Sequence, residues 1–249
     1  MVPVADALRG EWLKALSGRA WIVLLVSGIY MSVMTSFGYG SEGDKALDQG
    51  SGDLAAVTDD VVRAWMMTFL FVALYGAVVV TREYSSGSIS RSVLMTGRAR
   101  LFGAKLAVGA LMGALSGVVA VVLSLLSAWG VLAVYGRDFA WTKETTLIAA
   151  GVFVCNVLAA PWGVFIGWII RHQIASVVTV MALTLLVDPG LQQLAPKAAS
   201  YLFTIAMSSV YRDVGHTLLS PQAALLVIAS WLAAAGFAAY RLLRVRDLT

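Results

Sequence analysis

Residues 106–135 read LAVGALMGALSGVVAVVLSLLSAWGVLAVY and contain no Asp, Glu, Lys or Arg. One bilayer crossing by an α-helix needs about 20 consecutive apolar residues, so this stretch is long enough to span a membrane and to tilt within it. Of the 249 residues, 59% are hydrophobic and 13% are charged, whereas soluble domains carry about 25% charged residues. This composition excludes an ordinary soluble protein and indicates an integral membrane protein.

Five further apolar stretches are separated from this one and from each other by charged clusters. The predicted spans cover residues 20–39, 64–81, 106–135, 145–170, 174–187 and 222–243. We therefore predict an all-α integral membrane fold with six transmembrane helices and a single transmembrane domain over residues 1–249. The polar connection at 40–62 is rich in acidic residues and contains several glycines, so we expect little rigid structure there.

The chain begins with an amphipathic segment, residues 1–19. On a helical wheel, Leu8 and Trp12 lie on an apolar face, while Glu11 and Lys14 lie away from it. A helix with this pattern lies in the membrane surface rather than crossing it. We expect an interfacial helix, with a frayed cytosolic tail as the alternative.

Residues 188–221 form the least regular part of the sequence. Their apolar core, 201–210, is too short to cross a bilayer and is flanked by polar residues. We predict a re-entrant segment that enters the membrane and returns before the last helix. A seventh crossing is the alternative.

The basic residues are distributed unequally between the two sides that six crossings define. Twelve of the 18 Lys and Arg residues fall on the side of the N-terminus. They are Arg9, Lys14, Arg19, Arg82, Arg91, Arg98, Arg100, Lys105, Arg171, Arg241, Arg244 and Arg246. The positive-inside rule assigns this side to the cytoplasm. Both termini are then cytoplasmic, segment 82–105 is cytoplasmic and segment 188–221 is extracellular.

The sequence lacks the motifs of several kinds of catalytic and binding site. The phosphate-binding pattern G-x-x-x-x-G-K-[ST], the zinc motif H-E-x-x-H and any Cys/His cluster with metal-ligand spacing are missing. No Asp, Glu, Lys or Arg lies near the middle of a predicted span, where ion-coupled carriers commonly place ionisable groups. We expect no catalytic residue, bound cofactor or metal in this chain. A secondary transporter and an intramembrane enzyme are both disfavoured.

Glycines recur every four residues in two of the predicted spans. They are Gly109, Gly113 and Gly117 in the third span and Gly163 and Gly167 in the fourth. Small residues at this spacing let helix backbones approach closely. Two interpretations remain open: packing within this chain, or contact with a second membrane subunit.

The segment between the second and third spans, residues 82–105, reads REYSSGSISRSVLMTGRARLFGAK. It is basic and contains a short predicted helix, with serines available to cap its start and Gly97 to end it. Ile89, Val93 and Leu94 would form an apolar patch on this helix. A soluble partner could take such a helix into a groove.

This segment resembles the E-[YF]-x-x-G-[TS]-[ILF]…G-x-[RS]-R…K pattern of type-two ABC exporter permeases, a group that includes multidrug, antibiotic-resistance and lantibiotic-immunity permeases. The matching positions are Glu83, Tyr84, Gly87, Ser88, Ile89, Gly97, Arg100 and Lys105. Ser88 replaces the commoner threonine. The overall layout is similar too, from the leader helix to the basic tail. The resemblance implies an ATPase-coupling segment formed by Glu83, Tyr84, Gly87, Ser88, Ile89, Val93, Leu94 and Arg98.

The resemblance also implies a function. The chain would be the membrane subunit of an exporter in the inner (plasma) membrane, moving an amphipathic or hydrophobic small molecule or peptide. ATP and Mg would be bound by separate ABC ATPase subunits, and a second permease copy or a similar permease would complete the complex. No nucleic-acid partner is expected. The alternatives are a secondary transporter and a membrane anchor or assembly subunit without transport activity.

Overall fold

The computed structural model describes residues 3–213 and 219–247, and it assigns no β-strand to them. Within this part of the chain, six helices are long and apolar enough to cross a membrane. They are Ala20–Asp48, Leu54–Ser85, Arg98–Val134, Lys143–Ile170, Gln173–Leu194 and Pro221–Val245. The prediction of an all-α fold with six candidate spans is therefore confirmed.

Shorter elements interrupt or join these spans. In chain order the helices are α1 (Val4–Leu16), α2 (Ala20–Asp48), α3 (Leu54–Arg63), α4 (Thr68–Ser85), α5 (Ile89–Thr96), α6 (Arg98–Val134), α7 (Lys143–Ile170), α8 (Gln173–Ala182), α9 (Asp188–Leu194), α10 (Pro196–Ala199), α11 (Phe203–Val210) and α12 (Pro221–Val245). A 3₁₀ turn, Ala64–Met67, joins α3 to α4, and a π-helical turn, Leu183–Val187, joins α8 to α9.

The expectation of little rigid structure at 40–62 is wrong. Helix α2 continues to Asp48, α3 begins at Leu54, and only residues 49–53 connect them. A Cβ atom placed on Gly43 would lie 2.3 Å from a methyl group of Val57, so this glycine allows α2 and α3 to pack closely. Here glycine serves helix contact rather than loop flexibility.

Helix α4 lies at the centre of the bundle and packs mainly on α7. A Cβ atom on Gly163 would lie 1.8 Å from the carbonyl oxygen of Ala73, and one on Gly167 would lie 2.8 Å from that of Ala77. The glycines of α6 meet α7 in the same way: Gly109 faces Val164, Gly113 faces Asn156 and Ala160, and Gly117 faces Phe153. The structure thus favours packing within the chain over contact with a second subunit.

The fifth candidate span is longer than predicted. The helix runs past residue 187 through the π-helical turn to Leu194, although Pro189 lies within it. Proline has no backbone N–H and its ring crowds the carbonyl four residues earlier, so a widened turn before Pro189 has a local cause. As a result Asp188 lies on a candidate span rather than beyond its end, and its side chain is buried.

The two ends of the bundle differ in charge. At one end, which we call the basic end, α1 and α5 meet, and Arg171 donates a hydrogen bond of 2.6 Å to the carbonyl of Asp247. At the other, which we call the acidic end, Arg137 Nε lies 2.8 Å from Asp44 Oδ1. Arg212, near the end of segment 195–213, forms an ion pair with Glu144 at the acidic end.

Candidate functional site

Four charged side chains meet inside the basic end, and we call them the charge cluster: Glu11, Lys14, Glu83 and Lys105. The ammonium group of Lys105 lies 2.7 Å from Glu11 Oε2 and 2.8 Å from Glu83 Oε1. The Lys105 side chain is only 1% exposed, and both carboxylates are buried. The Lys105 ammonium also lies 3.3 Å from the carbonyl of Val79. A fully buried lysine is therefore neutralised by two separate elements, α1 and α4.

Lys14 completes the cluster from the side of α1. Its ammonium group donates to Glu11 Oε1 at 2.7 Å, to Glu83 Oε1 at 3.1 Å and to the hydroxyl of Ser92 at 3.0 Å. Burial lowers the pKa of Lys14, but the hydrogen bonds and charges of Glu11 and Glu83 outweigh burial, and the pKa lies above its usual value. Because Ser92 belongs to α5, the cluster joins α1, α4, α5 and α6.

The cluster contains two positive and two negative groups, so it is neutral as a unit. Removing one member of a buried ion pair leaves an uncompensated charge and typically costs about 3–5 kcal/mol. Glu83 Oε2 is buried and has no hydrogen-bond partner among the described residues. Glu83 is held mainly through its other oxygen, which both lysines share.

The last turn of α1 is tied down independently of the charge cluster. The hydroxyl of Tyr75 donates to the carbonyl of Ala15 at 2.8 Å, inside the protein. The guanidinium group of Arg82 donates to the carbonyls of Ser17, at 2.6 Å, and of Lys14. The final carbonyls of a helix have no partner within the helix. Here α4 supplies donors to the carbonyls of Lys14 and Ala15, and Trp21 of α2 donates to that of Leu16. Helices α1 and α4 are thus joined by both charge and backbone contacts.

Helix α5 presents a different surface from the one expected. Ile89 is 1% exposed and packs in an apolar core with Leu101, Phe165 and Trp168. Val93 is partly buried against the same core. The expectation that Ile89 belongs to an exposed patch is therefore wrong, because the first turn of α5 folds back onto α6 and α7.

The exposed apolar surface of α5 lies near its end. Leu94 is 86% exposed and Met95 is 60% exposed. Met95 was not part of the predicted patch, although it follows Leu94 directly. Apolar side chains of this exposure next to basic residues form a surface that a partner helix or groove can cover.

The turns around α5 fit the predicted pattern. Gly87 and Gly97 adopt φ angles of +67° and +85°, a region that side chains rarely enter. Gly97 ends α5, as predicted. Ser88 occupies the N-terminal cap position, but its hydroxyl lies 2.9 Å from that of Ser86 and makes no capping bond to the backbone.

The other predicted coupling residues lie beside the cluster rather than in it. Tyr84 packs edge-on against Trp168, with ring centroids 6.0 Å apart, and the guanidinium of Arg171 lies 5.3 Å from the centre of its ring. Arg98 donates a hydrogen bond of 2.6 Å to the carbonyl of Arg244, near the end of α12. Both residues tie the ends of the spans together.

Sequence reasoning missed Glu11, Lys14 and Ser92 as members of this site. On a helical wheel Glu11 lies among polar residues, which predicts contact with water, yet it is buried. The wheel cannot show that Lys105, distant in sequence, supplies its counter-charge. A usable signal was the three-residue spacing of Glu11 and Lys14, which places both on one side of α1.

An apolar cavity of about 290 Å³ lies beside α1, between α2, α4 and α6. Its wall includes Trp12, Trp21, Phe71 and Met112, and almost no polar surface. Hydrocarbon can occupy such a space, and none of the residues that line it is charged. Among the described residues, no group of three His, Cys, Asp or Glu is placed to hold a metal ion.

No model of a known protein family matches the chain, and no curated protein is similar enough to it to count as a relative.

Proposed function

We propose that this chain is the membrane-spanning subunit of an ATP-driven exporter and that α5 is its contact with a separate ATPase. One observation carries the proposal. The charge cluster contacts α5 through the Lys14–Ser92 hydrogen bond, and Ile89 anchors the same helix in the core, while Leu94 and Met95 are exposed at the basic end. A helix held this firmly yet displaying apolar side chains is suited to receive force from a partner.

The packing supplies a route for that force. Ser92 links α5 to Lys14, and Lys14 links it to Glu83 at the end of α4. Helix α4 in turn lies in the centre of the bundle, in backbone contact with α7 through Gly163. A displacement of α5 therefore reaches the central pair of helices without crossing a flexible loop. ATP and Mg are bound and hydrolysed by the partner in this mechanism.

The proposed arrangement in the membrane follows from charge and exposed apolar surface. The basic end faces the cytoplasm, so both termini are cytoplasmic. Helix α1 lies at the interface, where its exposed Val4, Leu13 and Leu16 contact lipid. Segment 195–213 enters from the outer side and returns, with the eight residues of α11 buried in protein. The predicted re-entrant segment also includes residues 214–218, which lie outside the described residues.

The remaining parts of the proposal rest on the family resemblance of segment 82–105. They are a second permease subunit, a plasma-membrane location and an amphipathic or hydrophobic cargo such as a drug, antibiotic or peptide. The apolar cavity beside α1 is compatible with such a cargo.

Reconstitution with the ATPase that co-purifies from native membranes tests the proposal. Leu94→Asp should reduce association with that ATPase and the coupled transport, while the purified chain keeps its normal melting temperature. Val134→Asp is the matched control, because Val134 is similarly exposed at the acidic end. ATP hydrolysis by the purified chain alone, or full coupling in Leu94→Asp, would contradict the proposal.

A secondary transporter is the second candidate, and Asp188 favours it. A buried ionisable residue on a membrane span is typical of ion-coupled carriers. This candidate predicts uptake into proteoliposomes driven by a proton or sodium gradient without any ATPase. Absence of gradient-driven transport, with transport restored by ATPase and ATP, decides for the exporter.

A further inference from the structure

A small cavity surrounds Asp188 on the fifth candidate span. Its volume is about 80 Å³, and Trp162, Phe203, Thr204 and Trp231 contribute to its wall. Asp188 is 5% exposed. It follows the π-helical turn directly, so the widened turn sets the direction of the residue that carries the charge. The charge cluster and the exposed surface of α5 take no part in this cavity.

Asp188 has no cationic partner within residues 3–213 and 219–247. The ion pairs of this region involve other carboxylates, and Arg212 at the acidic end pairs with Glu144. The backbone N–H of Thr204 interacts with the Asp188 carboxyl group. The buried hydroxyl of Thr204 has no hydrogen-bond partner in the described structure. The cavity thus holds two oxygen-bearing groups that lack full partners, and burying such groups is costly.

Three aromatic rings, together with Leu183 and Leu202, form the rest of the wall. Trp162 stacks on Phe203 with ring centroids 4.4 Å apart, and Trp231 stands nearly perpendicular to Trp162 at 6.1 Å. The indole N–H of Trp231 donates to the carbonyl of Tyr201 at 2.8 Å, which fixes the ring. Aromatic faces attract organic cations through their quadrupole, most strongly where water is excluded.

An apolar groove adjoins this cavity. It has a volume of about 510 Å³ and is lined by Tyr201, Leu226, Val227 and Ala234. Trp231 lines both the groove and the Asp188 cavity, so the two spaces are neighbours across that side chain. A molecule that places a charged group near Asp188 therefore has room for a hydrocarbon tail along α12.

We propose that Asp188, Thr204 and the rings of Trp162 and Trp231 bind the ammonium group of a primary alkylamine whose tail lies in the groove on α12. A primary ammonium has three donors, which suit the carboxylate and the free hydroxyl, and it is small enough for the cavity. A calcium ion fits poorly, because it takes six to eight oxygen ligands. Treating this amine as the cargo rests on the proposed export function, whereas binding itself does not.

Saturable binding of radiolabelled decylamine to the purified chain tests the site directly. The chain is placed in phosphatidylcholine nanodiscs, and uptake by empty nanodiscs is subtracted. The wild-type chain should bind decylamine at least about tenfold more tightly than the uncharged isostere decanol, since a buried charge pair and a cation–π contact each favour the cation. Asp188→Asn should abolish that preference. Asp138→Asn, at an exposed carboxylate of the acidic end, should retain it.

Trp231→Leu provides a second variant in case Asp188→Asn does not fold. It should weaken decylamine binding several-fold more than decanol binding, because both ligands lose a groove contact but only the cation loses its contact with the aromatic ring. Equal affinity for the two ligands in the wild-type chain would overturn the proposal. Undiminished preference in a folded Asp188→Asn variant would do the same, because the carboxyl group would then be only a structural hydrogen-bond partner.

Phosphatidylethanolamine carries the same primary ammonium group, so a second arm separates the two sources. If adding this lipid to the nanodiscs displaces decylamine from the wild-type chain, a lipid headgroup is the natural occupant. If it does not, the occupant is a free amphipathic amine. Either result supports an ammonium site. These measurements use no ATP, so a chain that binds decylamine but fails to couple to an ATPase keeps the site and loses only the exporter function.

Discussion

The ammonium nitrogen of Lys105 lies 2.8 Å from Oε1 of Glu83, 22 residues earlier in the chain, and both side chains are buried. Glu83 lies near the end of α4 and Lys105 near the start of α6, so the two residues flank the connection between the second and third spans. Their ion pair joins α4 to α6 next to the connection that contains α5. Glu11 and Lys14 then link this ion pair to α1.

Neutralising Glu83 should destabilise the protein more than neutralising both members of the pair. Glu83→Gln leaves one excess positive charge in a buried site, at a cost of about 3–5 kcal/mol. The double variant Glu83→Gln/Lys105→Met leaves Glu11 and Lys14 to balance each other. In thermal unfolding of the purified protein, the melting temperature should therefore fall less in the double variant than in Glu83→Gln. Additive losses of melting temperature would argue against a shared buried pair. Arg137→Gln, at a partly exposed ion pair, should cost much less than Glu83→Gln.

Ile89→Asp should disturb folding rather than partner binding. Ile89 is almost fully buried between α6 and α7, so an aspartate there buries an unpaired charge, which costs about 3–5 kcal/mol. Leu94→Asp, two residues before Thr96 at the end of α5, should leave the melting temperature nearly unchanged because Leu94 is exposed. Size-exclusion chromatography and thermal unfolding distinguish the two variants. A normal melting temperature in Ile89→Asp would show that α5 does not pack as described.

Gly163→Ala should be strongly destabilising. The added methyl group would lie 1.8 Å from the carbonyl oxygen of Ala73, so the backbones of α4 and α7 must separate. Overpacking of this kind costs about 1–3 kcal/mol and occasionally more. Gly130→Ala in α6 is the control, since nothing lies within 4 Å of its added methyl group. There the alanine should gain up to about 1 kcal/mol of helix stability. Melting temperatures that move together in the two variants would contradict the α4–α7 contact.

The contribution of Lys14 to the attachment of α1 should be lost at strongly alkaline pH. The pKa of Lys14 is raised above its ordinary value of 10.5 in the folded protein. A raised pKa means that the contribution of the charged lysine is fully present below the ordinary value and is lost as pH rises through the folded value. The stability difference between wild type and Lys14→Met should be constant around neutral pH and shrink in strong alkali. A difference that already disappears near neutral pH would contradict the contacts with Glu11 and Glu83.

Labelling of single cysteines should establish the orientation. In a Cys155→Ala background, an impermeant thiol reagent applied to intact cells should modify Ser51→Cys. Leu94→Cys should react only after the cells are opened, because the basic end is expected in the cytoplasm. Both positions are exposed in the structure. Labelling of Leu94→Cys in intact cells, without labelling of Ser51→Cys, would reverse the proposed topology.

The sequence by itself determined the number of candidate spans and the fold class. An unbroken apolar stretch as long as 106–135 indicates a membrane helix, because a helix satisfies its backbone polar groups within one segment. The spacing of Gly109, Gly113 and Gly117 likewise predicted close packing of this helix against another, but it did not identify α7 as that other helix. Local sequence is enough to predict a membrane helix, because the hydrogen bonds and the apolar surface that it needs come from that segment alone.

Tertiary structure alone decided which polar groups are buried and how. Glu11 reads as a surface residue until Lys105 is brought to it from a distant segment. Ile89 reads as exposed until the turn before α5 folds back onto α7. Asp188 was predicted to lie just beyond the fifth span, but the helix continues to Leu194, and Trp162 and Trp231 line the cavity beside the carboxyl group. In each case burial and charge compensation depend on contacts between segments far apart in the chain, which no local pattern records.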